Sequence, residues 1–141
     1  LERLRGKAEF GIQIFWDPES IIPRLMEENI EIKKLKEEIK GSSRGLAYMH
    51  KQKLEILVKK QMEIAAQSYF KEFYEQIRRK VEEIKIEKSK KSTDGKPMLM
   101  NLSCLISRDK RESLGEELEK IEKRKEFHVR LTGPWPPYTF V

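Results

Sequence analysis

The segment Leu131-Thr132-Gly133-Pro134-Trp135-Pro136-Pro137-Tyr138-Thr139-Phe140-Val141 constrains this chain more than any other. Pro134, Pro136 and Pro137 each lack a backbone donor and hold φ at about −65°, so the segment suits neither a helix nor the centre of a sheet and runs extended. Gly133 has no Cβ and supplies a sharp exit from the element before it. Trp135, Tyr138 and Phe140 then hang large rings on a stiff backbone over residues 133–141. Rings held that way are expected to be buried, with Trp135 plugging a gap between strands and helices so that the tail closes the fold.

Upstream, two periodicities divide the chain. Residues 7–16 alternate, Phe10, Ile12, Ile14 and Trp16 against Glu9, Gly11, Gln13 and Phe15, which predicts a half-buried strand. Gly11 within it suits a bulge or a close approach. Asp17 or Ser20 is the expected N-cap of a helix over 20–40, with Pro23 in its first turn and Asn29 as one polar interruption of the stripe Ile22, Leu25, Ile32, Leu35, Ile39.

The longest helical pattern covers 44–86, with a stripe from Leu54 and Val58 through Tyr69, Phe73 and Ile77 to Val81 and Ile84. Unbroken, such a helix would reach roughly 60 Å, about twice the width of a small domain, and so would bend, project or meet a partner. Residues 87–97 read as a Lys-rich loop, 98–107 as a second strand, 110–125 as a helix opened by an Asp109/Glu112 capping box, and 126–132 as a third strand with Phe127, Val129 and Leu131 inward. The two later strands are expected to be parallel neighbours or to lie either side of the first. A single α+β domain over 1–141 follows: a small sheet of about three strands, helices packed on it, one very long helix and a Pro/aromatic tail.

The residue inventory speaks against catalysis. His50 and His128 have no sequence-local carboxylate or cysteine to make either a base or a metal ligand. No phosphate loop, nucleophile elbow or Cys pair occurs. No catalytic residue, cofactor, metal or small-molecule substrate is therefore expected. Lone Cys104 fits a cytoplasmic protein, and no apolar run reaches the ~18 residues of a membrane span. The +6 net charge raises the alternative of a basic helical nucleic-acid-binding module. Its basic clusters, Arg44 to Lys53 and Arg78 to Lys80, are however followed by Glu55 and by Glu82 and Glu83, which dilutes the field.

Three stretches resemble one family, the gas vesicle accessory proteins of the GvpF/GvpL type: the tail from Leu131 to Phe140, Gly45-Leu46-Ala47-Tyr48-Met49 followed by Lys51 and Lys53, and Lys7 to Ile12. The likeness runs from about Arg5 onward and corresponds to the C-terminal half of family members, which carry a further N-terminal α/β region. It implies a non-enzymatic role in building gas vesicles, in the cytoplasm and in association with the vesicle. The partners it implies are the hydrophobic major shell protein and other accessory proteins, during nucleation or growth. Gly133, Pro134, Trp135, Pro136, Pro137, Tyr138, Phe140, Gly45 and Tyr48 are the motif residues, serving either fold closure or interaction. Beside this, the apolar surplus near Phe70, Phe73 and Tyr74, with Lys51 and Lys53 on the same long helix, is the expected protein interface and also offers a route to self-association.

Overall fold

The computed structural model describes residues 2–90 and 95–141. Part of the Lys-rich loop, residues 91–94, lies outside them. The chain forms two compact units, one of Leu1–Asp17 with Tyr69–Val141 and one of Pro18–Ser68.

In the first unit, strands β1 (Lys7–Trp16), β2 (Glu83–Ile86), β3 (Met98–Ser107) and β4 (Phe127–Trp135) make one sheet in the order β2-β3-β1-β4. Every pairing is antiparallel. The two later strands therefore lie either side of the first, the second of the two expected arrangements. Alternation on β1 is as read through Ile14: Ala8, Phe10, Ile12 and Ile14 are buried, while Glu9, Gly11 and Gln13 turn to the other face. Phe15, read onto that other face, is buried as well, where the register with β3 shifts. Met100, Leu102, Cys104 and Ile106 of β3 continue the core, closed by Leu114, Leu118 and Ile121 of helix α4 (Arg111–Glu122) and by Phe73 and Ile77. The rings of Trp16, Tyr69, Phe73 and Phe127 meet at 4.8–6.3 Å between centroids. Arg124 lies over three of them at 5.1–5.4 Å and donates to both oxygens of Glu72 at 3.1 and 3.3 Å.

The sheet has one strand more than expected because the long helix is shorter. Helix α3 spans Arg44–Arg78 and ends in a turn, Lys80 N–H to Ile77 C=O at 2.9 Å. Val81 to Ile86 fits a helical stripe, but Ile84-Lys85-Ile86 also alternates, and pairing with the open edge of β3 satisfies its backbone groups. Helix α4 likewise lacks the expected capping box: a 3₁₀ turn over Arg108–Lys110 precedes it and Lys110 holds the N-cap position without a side-chain bond. Asp109 instead has its carboxyl held below the usual range by a hydrogen bond from Ser107 and by its own backbone.

In the second unit the expected helix over 20–40 is two helices, α1 (Pro18–Glu28) and α2 (Ile30–Lys40). Asn29 is the cause. Its backbone is extended at φ −92°, ψ 116°, and its side chain accepts from Ile32 N–H at 3.1 Å, so the residue read as a flaw in one stripe is the N-cap of a second helix. Pro18 occupies the first helical position, which leaves Pro23 in the second turn rather than the first. Ile21 and Ile32 are buried, and Gly41 ends α2 before α3 begins.

Candidate functional site

The tail departs from the expectation of burial. Gly133-Pro134 does not end the third strand: β4 continues through a bulge to Trp135. Opposite Glu9 and Gly11 stand Trp135 and Thr132, so β4 inserts an extra residue there, which re-aims Trp135 beside Glu9. Gly133 has φ +116°, its peptide bond to Pro134 is cis, and a Cβ would sit 2.7 Å from Glu9 C=O; only glycine fits. Gly11 answers the close approach read for it, although the neighbour is a side chain: a Cβ there would meet Thr132 Oγ1 at 2.6 Å. Pro134 is tolerated because β4 is an edge strand.

Beyond the bulge the backbone is fixed by polar contacts. The Glu9 carboxylate accepts from Thr139 N–H at 2.9 Å and from Thr139 Oγ1 at 2.7 Å. Arg3 donates to Phe140 C=O and pairs with Glu83. Two of the three rings are not covered. Trp135 is 54% exposed and Tyr138 78%, Phe140 is half-buried, and Leu131, expected inward, is 46% exposed. The expectation that Trp135 plugs the core is therefore corrected. Aromatic content argued for burial, but the bulge sets Trp135 on the Glu9 face of the sheet, away from the core of Phe73, Phe127 and Trp16.

Beside Trp135, the outer sheet face and the segment after β2 enclose an open groove of about 490 Å³. Its walls include Gln13, Asn101 and Ser103 with Glu87, Lys88 and Lys90. Asn101 Nδ2 donates to Lys88 C=O at 2.8 Å and Ser103 Oγ to Glu87 at 3.2 Å, so these polar groups are spent on holding the segment to the sheet. Among the described residues no group of His, Cys, Asp and Glu is arranged to hold a metal ion. Cys104 is buried, and burial, with the Glu9 charge adding to it, pushes its thiol up to about 12, which leaves it protonated and unreactive near neutrality. His128 stacks on Phe15 at 6.3 Å with Nδ1 3.0 Å from Glu122, and half-buried His50 lies 3.7 Å from Glu38. No helix among the described residues is long and apolar enough to cross a membrane.

The other expected interface residues divide by accessibility. Phe73 is wholly buried and has no surface to offer a partner, a correction to its place in that interface. Phe70 and Tyr74 are half-buried and stack on each other at 6.1 Å, and Lys51 and Lys53 are exposed. Gly45 has open space around it, and Tyr48 is 63% exposed with its hydroxyl accepting from Gln52 at 3.1 Å. The role of Glu9 was not legible beforehand; its only signal was a carboxylate two residues before a glycine on the strand's outer face.

The profile of the family described as gas vesicle synthesis protein GvpL/GvpF matches residues 1–141. Among curated proteins, gas vesicle protein L of Haloferax mediterranei is 22% identical over 146 residues, covering 99% of this chain and 45% of its own length. Gas vesicle protein F of a Streptomyces species is 26% identical over 151 residues, covering 100% of this chain and 58% of its own length. The crystal structure of GvpF from an Anabaena species is similar with a TM-score of 0.77 at 18% identity, over 99% of this chain and 55% of that one. GvpF from Microcystis aeruginosa gives 0.63 at 23%, over 99% and 56%. At these identities the two structures speak for the fold. The chain thus spans about half the length of the relatives it matches. With the profile matching from end to end, and the bulged tail seated on an antiparallel sheet, this chain belongs to the GvpL/GvpF family of gas vesicle synthesis proteins.

Proposed function

We propose that this chain acts in gas vesicle assembly as a non-enzymatic accessory protein, in the cytoplasm and at the growing vesicle, and that it binds the apolar major shell subunit through its tail. The observation carrying this reading is the pairing of exposed rings with a fixed backbone: Trp135 and Tyr138 stand in solvent while Glu9 and Arg3 hold the residues around them. Rings presented this way meet an apolar partner with little ordering cost, and Trp and Tyr supply a large share of interface energy. A subunit destined for an apolar-lined shell needs its sticky surface covered until it is placed, and other accessory proteins of the same assembly are further candidates for this surface. Phe70 and Tyr74 form a second apolar patch, favoured by their stacked, half-exposed geometry.

The test is recovery of purified shell subunit on the immobilised chain. Trp135→Ala with Tyr138→Ala should reduce recovery about tenfold while the melting midpoint stays near that of the parent. Unchanged recovery would exclude the tail as the contact. Phe70→Glu with Tyr74→Glu asks the same of the second patch. A nucleic-acid-binding module would instead be retained on DNA at low salt and released steeply as salt rises.

A further inference from the structure

In the second unit, helix α3 carries an apolar stripe that its fold leaves uncovered. Ala47, Leu54, Leu57, Val58, Met62 and Ala65 form the half-buried side. Opposite them, Leu46, Met49, Ile56 and Ile64 are 52%, 55%, 70% and 49% exposed. Exposed Lys53 and Lys60 fall between them. The positions 46, 49, 53, 56, 60 and 64 are three or four residues apart, so all six side chains share less than a third of the helix circumference along about 27 Å of axis.

We propose that this stripe is a docking surface for an acidic amphipathic helix from another protein, one that mixes apolar residues and carboxylates on a single face at the same period. The position of the charges decides the occupant. Lys53 and Lys60 stand in the middle of the stripe, flanked by Met49 and Ile56 on one side and Leu46 and Ile64 on the other. A membrane-surface helix keeps its lysines at the polar margin, whereas here a bilayer would have to take in two ammonium groups along with the apolar residues. A second copy of the stripe would set lysine against lysine: Lys53 on Lys53 if parallel, Lys53 on Lys60 if antiparallel about Ile56. A helix bearing Glu or Asp at the facing positions neutralises both lysines and lets the four apolar side chains lose water together. The stripe uses none of the tail residues and neither Phe70 nor Tyr74, so it stands or falls independently of the shell-subunit contact.

Two synthetic helical peptides of about 21 residues test this, one with Leu and Glu sharing a face at three- and four-residue spacing, and a twin with Lys in place of each Glu. Fluorescence anisotropy with the full chain should show the acidic peptide binding at least about tenfold more tightly, and less tightly as salt rises. Lys53→Glu with Lys60→Glu should reverse that preference. Because both lysines are exposed, the melting midpoint should hold, and circular dichroism confirms that the variant is folded. Equal affinity for the twins, binding of neither, or an unreversed preference overturns the proposal. So does light scattering that shows a dimer lost on Ile56→Ser, or binding to phosphatidylserine vesicles, where the peptide preference is missing.

Discussion

One carboxylate, Glu9, receives both the backbone N–H and the hydroxyl of Thr139, at 2.9 and 2.7 Å across 130 positions of sequence. Hydrogen bonds to a charged acceptor contribute about 1.5–3 kcal/mol each when partly shielded. Glu9→Ala should therefore free the tail while leaving the sheet intact. Amide exchange at Thr139 should quicken by about tenfold or more, and the melting midpoint should fall by several degrees. Glu9→Gln keeps an acceptor and should restore part of the protection.

Gly11 and Thr132 should be coupled. Gly11→Ala drives a methyl to 2.6 Å from Thr132 Oγ1 and should destabilise by about 1–3 kcal/mol. Thr132→Ala removes the obstruction, so the double variant should recover most of that loss in a denaturant-melt cycle. Simple addition of the two effects would show that the strain lies elsewhere.

Phe73 and the pair Phe70 and Tyr74 should separate cleanly. Phe73→Ala empties a site walled by Tyr69 and Phe127 and should cost about 3–5 kcal/mol of stability. Phe70→Ala, at a half-buried position, should cost markedly less in the same chemical melt.

Cys104 should resist thiol reagents in the folded state and react fully once guanidinium unfolds the chain. Its folded value, about 12 against an ordinary 9.0, is raised, so neutral thiol is favoured by folding. The contribution is whole below pH 9.0 and is lost as pH climbs from there toward 12. Cys104→Ala should flatten that part of the stability profile.

Asn29→Ala should weaken the start of α2 by about 0.5–2 kcal/mol, read as a lower melting midpoint and faster exchange at Ile32. The same residue shows where sequence reading reached its limit. Asn29 falls on the apolar spacing of a continuous helix, and only its side-chain bond to Ile32 N–H reveals the break. Val81 to Ile86 is ambiguous for a parallel reason, since a short apolar run satisfies both periods and the free edge of β3 settles the matter from outside. By contrast Ala8 to Ile14 was legible because one buried face fixes its alternation, and Met98 to Ser107 because a short apolar run of strand length stands between polar segments, although it is buried on both faces. The tail was legible as a motif and as stiff backbone, yet not as exposed surface. What holds it is Glu9 and Arg3 at the far end of the sequence, and no local pattern announces such partners.

The central place of β1 carries a kinetic consequence. It ends at Trp16, while β4 begins at Phe127, so more than a hundred residues must be made before its second edge is paired. Closing loops of that length delays the sheet relative to the helices of Pro18–Ser68, whose contacts are local. At ordinary rates of synthesis, roughly 5–20 residues per second, an apolar strand bearing Phe10, Ile12, Ile14 and Trp16 stays without that partner for several seconds. A protein proposed to cover the exposed surface of others thus passes through a stage in which it needs such cover itself.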